Sequence, residues 1–247
     1  MMVTLDLDAL DLKDGQRVLD LGCGRGRHSH ALYWNERALD VVMLDLSLED
    51  LKGAIDGFFE LPPPPAEPPR SAVWCVGDAD RLPFADESFD VVICSEVLEH
   101  LPSVESALAE ITRIIKPGGK FACSVPRYWP EKICWSLSEG YQNTPGGHVR
   151  IFKDCELKAQ VEGFGFTGFK RHWAHALHSP YWWLRCAKWD RQEDSRTVAA
   201  YRKLLEWDLL QKPRLTRWTE AALNPLMGKS VALYFDKHAA GRPEAAQ

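Results

Sequence analysis

The tightest constraint on this chain lies near its start, where Arg17-Val18-Leu19-Asp20-Leu21 runs into Gly22-Cys23-Gly24-Arg25-Gly26. The apolar run is too short for a helix and reads as a buried strand. Glycines at alternate positions permit a tight strand-to-helix turn and let a ligand approach the backbone. The helix that follows, from Arg27 to Arg37, presents free N–H groups at its start. A second buried strand, Leu39 to Leu44, ends at Asp45. Ser47 then caps a helix reaching Glu60.

The alternation continues. Strands are expected at 72–76, 89–94 and 120–125. A helix fits Val104 to Ile115, with apolar spacing at Leu108, Ile111, Ile114 and Ile115, and Lys116-Pro117-Gly118-Gly119 stops it. Such β-α-β succession builds a parallel sheet with helices on both faces. Prolines and a Gly146-Gly147 pair make 126–150 read as an irregular lid. Lys153 to Glu162 reads as a helix, and Phe164 to Arg171 as a strand. The pattern from His172 to Met227 is helical and aromatic, and Ser230 to Asp236 reads as a last strand. This divides the chain into a core of 1–171 and 229–238, a Trp-rich helical cap of 172–228, and a disordered tail of 239–247. Six prolines between Leu61 and Arg70 favour an extended surface spacer, with a docking site for a proline-reading partner as the alternative.

Composition removes several function classes. At 247 residues the chain can bury a sizeable core without a metal or disulfide staple. Thirty Lys and Arg against 35 Asp and Glu give a net charge of −5, which disfavours general nucleic-acid binding. The seven cysteines are odd in number, lack a CxxC pair and sit partly in apolar runs, so a reducing cytoplasm is expected. No signal peptide and no ~20-residue spanning stretch is visible.

The Gly loop alone would also suit a nicotinamide dinucleotide, but that fingerprint needs its third glycine at position 27, where Arg stands. Val18 to Gly26 instead resembles motif I of the class I S-adenosylmethionine-dependent methyltransferases of the small-molecule type, similar to the type 11 methyltransferases. Asp45 matches the acidic end of strand two. Gly77-Asp78-Ala79-Asp80-Arg81-Leu82-Pro83-Phe84 with Ser88-Phe89-Asp90-Val91-Val92 matches the third block. Glu99-His100-Leu101 through Lys116-Pro117-Gly118-Gly119 matches the fourth. The resemblance implies an α/β, Rossmann-like, doubly wound, mostly parallel seven-strand sheet; the helical insertion before the last strand departs from that family's minimal pattern, in which the last two strands are adjacent.

The resemblance also implies site roles. Gly22, Gly24 and Gly26 shape the backbone around the methionine part of S-adenosylmethionine, whose product is S-adenosylhomocysteine. Asp20 orients that loop and reaches toward the cofactor ammonium, or is purely a loop-former. Asp45 takes the ribose hydroxyls, Leu46 packs on adenine, and Asp78 and Ala79 hydrogen-bond the ring. Ser95 and Glu96 line the cleft beside the sulfonium.

A hydroxyl or carbon acceptor needs a base, and His148 and His100 are the candidates. Tyr128, Tyr141 and Arg150 are expected to contact the acceptor; the bland alternatives are a helix-closing hydrogen bond for His100, and stapling of the lid for His148 and Arg150. His28 and His30 read as solvated or cofactor-rim positions. His172, His175 and His178 are spaced three apart, but no cysteine or carboxylate completes a set, so no metal is assigned. The cap carries nine basic and six acidic residues and six tryptophans. Three readings stay open for it: a helical cap with its own Trp core, a wall of an apolar acceptor pocket with Tyr128, Trp129, Trp135, Tyr141, or a peripheral membrane face at Ser179 to Trp189. The expected activity is methyl transfer to a small, hydrophobic or lipid-like acceptor. The alternatives are a non-catalytic subunit binding a protein partner, and an RNA or protein methyltransferase. The sequence leaves the oligomeric state open.

Overall fold

The computed structural model describes residues 3–60, 62 and 68–239. Most of the proline-rich stretch and the tail from 240 onward lie outside the described residues. Seven strands form one sheet: β1 (Arg17–Leu21), β2 (Asp40–Asp45), β3 (Ser71–Val76), β4 (Phe89–Ser95), β5 (Ile115–Pro126), β6 (Phe166–Ala174) and β7 (Ser230–Lys237), in the order β3-β2-β1-β4-β5-β7-β6. The first five are parallel, and β7 lies antiparallel between β5 and β6. The fold is therefore the expected doubly wound, mostly parallel α/β sheet. The strand order reverses between β1 and β4, and ligands of such sheets bind beyond the carboxyl ends there.

Helices α1 (Arg27–Tyr33) and α2 (Leu48–Glu60) cover one face, where Leu32, Leu51 and Ala54 pack on Val18, Val41 and Ile93. Helix α3 (Val104–Ile114) lies on the other, with Leu108, Ile111 and Ile114 against Leu19, Val92 and Phe121. Alternate residues of one strand thus feed two cores, as a doubly covered sheet requires. Ser47 caps α2 as expected, accepting from the Asp50 N–H at 3.2 Å. All seven cysteines are free.

Three local expectations need correction. The Lys116–Gly119 turn lies inside β5 rather than between helix and strand. Pro117 forces an extended backbone on the residue before it, so α3 ends at Ile114 and Ile115 already pairs with Phe89, before a bulge leads to the Val91–Lys120 pair. Residues 126–150 are not wholly irregular: they contain α4 (Tyr128–Leu137) and the short α5 (Glu139–Gln142). Pro130 falls in the first turn of α4, where a missing N–H leaves no bond unmade. β6 starts two residues late and runs on to Ala174, so His172 and Trp173 belong to the sheet. Helix α6 (Asp154–Glu162) precedes β6. The insertion before β7 is helical as expected, with α7 (His178–Ala187), a 3-10 turn at Trp189–Arg191, α8 (Arg196–Gln211) and α9 (Arg214–Met227).

Candidate active site

Gly22, Gly24 and Gly26 all take positive φ, at 69°, 51° and 81°. A Cβ on Gly22 would stand 2.3 Å from Val97 Cγ2, and one on Gly26 would stand 2.9 Å from both Ala54 Cβ and His30 Nε2. A Cβ on Gly24 would meet nothing within 4 Å. The outer glycines are demanded by packing, whereas the middle one opens its backbone to a ligand. Asp45 ties this loop to the end of β2. Its Oδ2 accepts from the Gly24 N–H at 2.7 Å and its Oδ1 from the Ser47 N–H at 2.8 Å. Each oxygen keeps a lone pair free, enough for a diol. Leu46, next in the chain, is 72% exposed and offers an apolar platform. Asp78 is exposed beyond β3, where its Oδ1 accepts from the Asp80 N–H, and Ala79 is buried beside it. This arrangement fits a nucleoside with a flexible polar tail.

Asp20 lies beneath the loop and is 1% exposed. Ser29 Oγ donates to it at 2.5 Å, yet burial pushes its carboxyl up to about 6. That contact makes it a link between β1 and α1. His28 and His30 are buried, contrary to the expected solvated or rim positions. His28 Nε2 accepts from the Thr4 and Leu5 N–H groups, and burial depresses it to about 3, so it stays neutral. His30 Nε2 donates to the Ala54 carbonyl at 2.7 Å, joining α1 to α2.

Beyond β4, Ser95 donates to Ser124 at 2.8 Å, and Ser124 donates to Glu96 Oε1 at 2.9 Å. Glu96 has φ +59°, a left-handed conformation costly for a non-glycine residue and concentrated at functional sites. It turns Glu96 into a cavity of about 980 Å³ bounded also by Arg27, Tyr141, His148, Trp182 and Lys229.

Buried Glu131 of α4 organises one wall. Its Oε1 accepts from His148 Nδ1 and from the Tyr141 hydroxyl, both at 2.7 Å, and its Oε2 from Lys229 Nζ at 2.9 Å. Burial alone would raise its pKa, but the His148 and Lys229 contacts outweigh it and hold the carboxyl at about 2. Burial and the Glu131 charge push the Tyr141 hydroxyl up. His100 Nδ1 donates to the Gly147 carbonyl at 3.1 Å, and its ring stands 4.9 Å from that of His148. Glu99 is 1% exposed, and neither carboxylate oxygen has a partner. Burial and then the neighbouring Glu96 charge raise its pKa well above the usual carboxylate range.

Glu99, His100 and His148 offer donor atoms within 4.8 Å of one another. A second group joins His175 and His178 to Glu220 of α9. The carboxylate missing near these histidines in the sequence is thus supplied by a helix some forty residues away.

The expected substrate residues separate. Tyr141 reaches the cavity wall. Tyr128 instead lies beneath Lys132 and Lys153, away from the cavity lining. Arg150 donates to the Pro102 carbonyl at 2.7 Å, a contact of the kind the stapling alternative requires. Glu131 and Lys229 went unnoticed in the sequence because the fold brings them together from 98 positions apart. Glu99 stood in a quoted motif, but its burial could not be read there.

The cap does not enclose a tryptophan core. Among its described residues Ser179, Cys186, Val198 and Leu205 of α7 and α8 are buried, and α9 buries none. Trp183 donates to the Pro130 carbonyl, pinning α7 to α4, and Trp182 faces the cavity. Trp207 and Trp218 are exposed on α8 and α9, with Leu210 and Leu215. Among the described residues no helix is long and apolar enough to cross a membrane.

Residues 19–123 match a family model described as a methyltransferase domain. A demethylmenaquinone methyltransferase from Renibacterium salmoninarum is 40% identical over 135 residues, covering 53% of this chain and 52% of that protein. The 24-methylenesterol C-methyltransferase 2 of Arabidopsis thaliana is 28% identical over 165 residues, covering 64% and 39%. The chain thus spans about half or less of the length of these curated relatives. Among solved structures, an S-adenosylmethionine-dependent methyltransferase from Methanosarcina mazei superposes with a TM-score of 0.63 at 16% identity, covering 96% of this chain and all of that one. This last likeness bears on the fold alone.

Proposed function

We propose that this chain, whose residues 19–123 match the methyltransferase-domain family, is a class I S-adenosylmethionine-dependent methyltransferase that methylates a hydroxyl of a small, largely apolar acceptor. The observation that carries this reading is the wall shared by Glu96 and His148: the cofactor side of the cleft and a polarised imidazole border the same cavity of about 980 Å³. The open backbone at Gly24 and the free lone pairs of Asp45 support binding of the cofactor there, with Leu46 under adenine and Asp78 and Ala79 beside its edge. When bound, the cofactor supplies a sulfonium methyl already electrophilic enough for in-line transfer.

The protein's own part is positioning and proton removal. Trp182, Tyr181, Leu205 and Leu209 give the acceptor apolar contacts, and charged side chains such as Arg27, Arg202, Glu206, Asp208 and Lys229 share the same lining. The acceptor hydroxyl turns toward Glu99, His100 and His148, and the His148 imidazole takes its proton. The O–CH3 bond forms as the S–CH3 bond breaks, leaving S-adenosylhomocysteine. Exposed Leu210, Leu215 and Trp218 beside this cavity suit an acceptor delivered from an apolar phase. The quinone and sterol named for the two curated relatives are of this apolar kind.

The test is transfer of a deuterated methyl group from S-adenosylmethionine to a panel of apolar phenols, quinols and isoprenoid alcohols, read by mass spectrometry and NMR. A methyl ether product supports the proposal. Label on nitrogen or carbon alone refutes the hydroxyl assignment. No label with any acceptor, from protein that binds S-adenosylhomocysteine, favours a binding subunit.

A further inference from the structure

Three features of the Glu99, His100 and His148 group are unexplained by a fold or by a simple base. Glu99 places a carboxylate in the interior with both oxygens unpartnered. A buried carboxyl group with no hydrogen-bond partner costs free energy in either protonation state unless something meets it. No described Lys or Arg forms an ion pair with it. His100 Nε2 lies 3.9 Å from Glu99 Oε1.

The tautomers are also fixed. Gly147 offers His100 a carbonyl, which can only accept, so Nδ1 carries the hydrogen. Glu131 offers His148 a carboxylate, so its Nδ1 carries the hydrogen too. In either ring Nε2 is then the nitrogen left to ligate. Glu99, His100 and His148 each offer a ligating atom within 4.8 Å of the others, and both Glu99 oxygens are unpartnered.

We propose that Glu99, His100 and His148 bind a divalent transition-metal cation, with Glu131 and the Gly147 carbonyl holding the two imidazoles in their ligating tautomers. Two imidazoles and one carboxylate form the donor set of zinc and of cobalt, manganese and iron in their divalent states. Ligands at about 2.0–2.2 Å from an ion stand roughly 3.0–3.6 Å apart, so the cluster needs to close by about 1 Å. The carboxylate–histidine–metal relay from Glu131 through His148 is the usual outer support of such ligands. The three side chains leave coordination positions open, and His148 faces the acceptor cavity. An acceptor hydroxyl on the ion would lose its proton to solvent near neutral pH, and its oxygen would be held facing the sulfonium methyl. This role for the ion rests on the methyl-transfer reading; the binding site itself does not.

The experiment uses the full chain, stripped with a chelator and titrated with Co2+ in a calorimeter and a spectrophotometer. One site per chain is expected, with visible d–d bands of nitrogen-ligated cobalt. Glu99→Gln should weaken binding by at least 100-fold. Glu131→Gln, which touches no ion, should weaken it by about 10–100-fold. S-adenosylhomocysteine affinity should stay within twofold in both variants, which shows that they fold. Glu220→Gln should leave the cobalt bands in place. Absence of a stoichiometric site in the wild-type chain overturns the proposal. So does full affinity in Glu99→Gln, or loss of the bands in Glu220→Gln, which would place the ion at His175 and His178. Cobalt binding without S-adenosylhomocysteine binding would instead sink the methyl-transfer reading and leave the metal site standing.

Discussion

Replacing Lys229 by Met removes the ammonium that meets Glu131 Oε2 at 2.9 Å. The carboxylate is 1% exposed and the Lys229 side chain 11%, so neither charge is rescued by water. Losing one member of a buried pair costs about 3–5 kcal/mol. Glu131 keeps Tyr141 and His148 as donors, which places Lys229→Met near the lower end, at about 3 kcal/mol. The acidity of Glu131 gives a matching figure: a carboxyl held at about 2 against an ordinary 4.5 is stabilised by about 3 kcal/mol at neutral pH. Glu131→Gln strands the buried ammonium and should cost about the same. The double variant leaves neither charge orphaned, and should cost only about 1–2 kcal/mol, the price of the lost hydrogen bonds. Urea unfolding at pH 7 measures all four corners of this cycle. The expected coupling is about 4 kcal/mol. Additivity within about 0.5 kcal/mol would refute the view that one buried pair joins α4 to the start of β7.

Further outcomes follow from other residues. Asp45→Ala should weaken S-adenosylhomocysteine binding by about 1–3 kcal/mol, roughly 5–150-fold, in calorimetry; unchanged affinity removes Asp45 from the ribose. Gly22→Ala combines a left-handed backbone, costing about 1–2 kcal/mol, with a 2.3 Å approach to Val97, so adding Val97→Ala should recover only the steric part of the lost stability. Because the folded pKa of Glu131 lies below its unfolded one, its contribution is full above about pH 4.5. It is lost toward pH 2, and Glu131→Gln should flatten that acid limb of unfolding. Asp20 has the opposite sign. Its folded pKa of about 6 exceeds the unfolded 3.8, so stability falls as pH rises from about 4 to 6 and stays low above. Asp20→Asn should therefore be more stable than wild type at pH 8, by up to about 3 kcal/mol, in urea unfolding.

Much of the fold was legible because its signals are local. Glycines at 22, 24 and 26, Asp45 at the end of a buried run, and Ser47 as a cap each act within a few residues of themselves. What escaped reading depended on contacts between distant segments. Pro130 looks like a breaker, yet in a first helical turn it breaks nothing, so α4 and its Glu131 were hidden in a supposed loop. His28 and His30 look polar on a helix, but the packing of residues 4–5 and of α2 buries them. Glu220 carries no sequence mark tying it to His175 and His178. The tryptophans of the cap suggested a core of their own; Trp182 and Trp183 are instead used against α4 and the cavity, and Trp207 and Trp218 stay exposed.

The central claim is that the Gly loop and Asp45 hold S-adenosylmethionine beside the Glu96–His148 cavity. Titration of the folded protein with S-adenosylhomocysteine in a calorimeter tests it most directly. One site per chain at about micromolar affinity, or roughly 8 kcal/mol, abolished when Gly24 is replaced by a bulky residue in a chain that stays folded, is the predicted result. No heat up to millimolar ligand, from a sample that unfolds cooperatively, would contradict it.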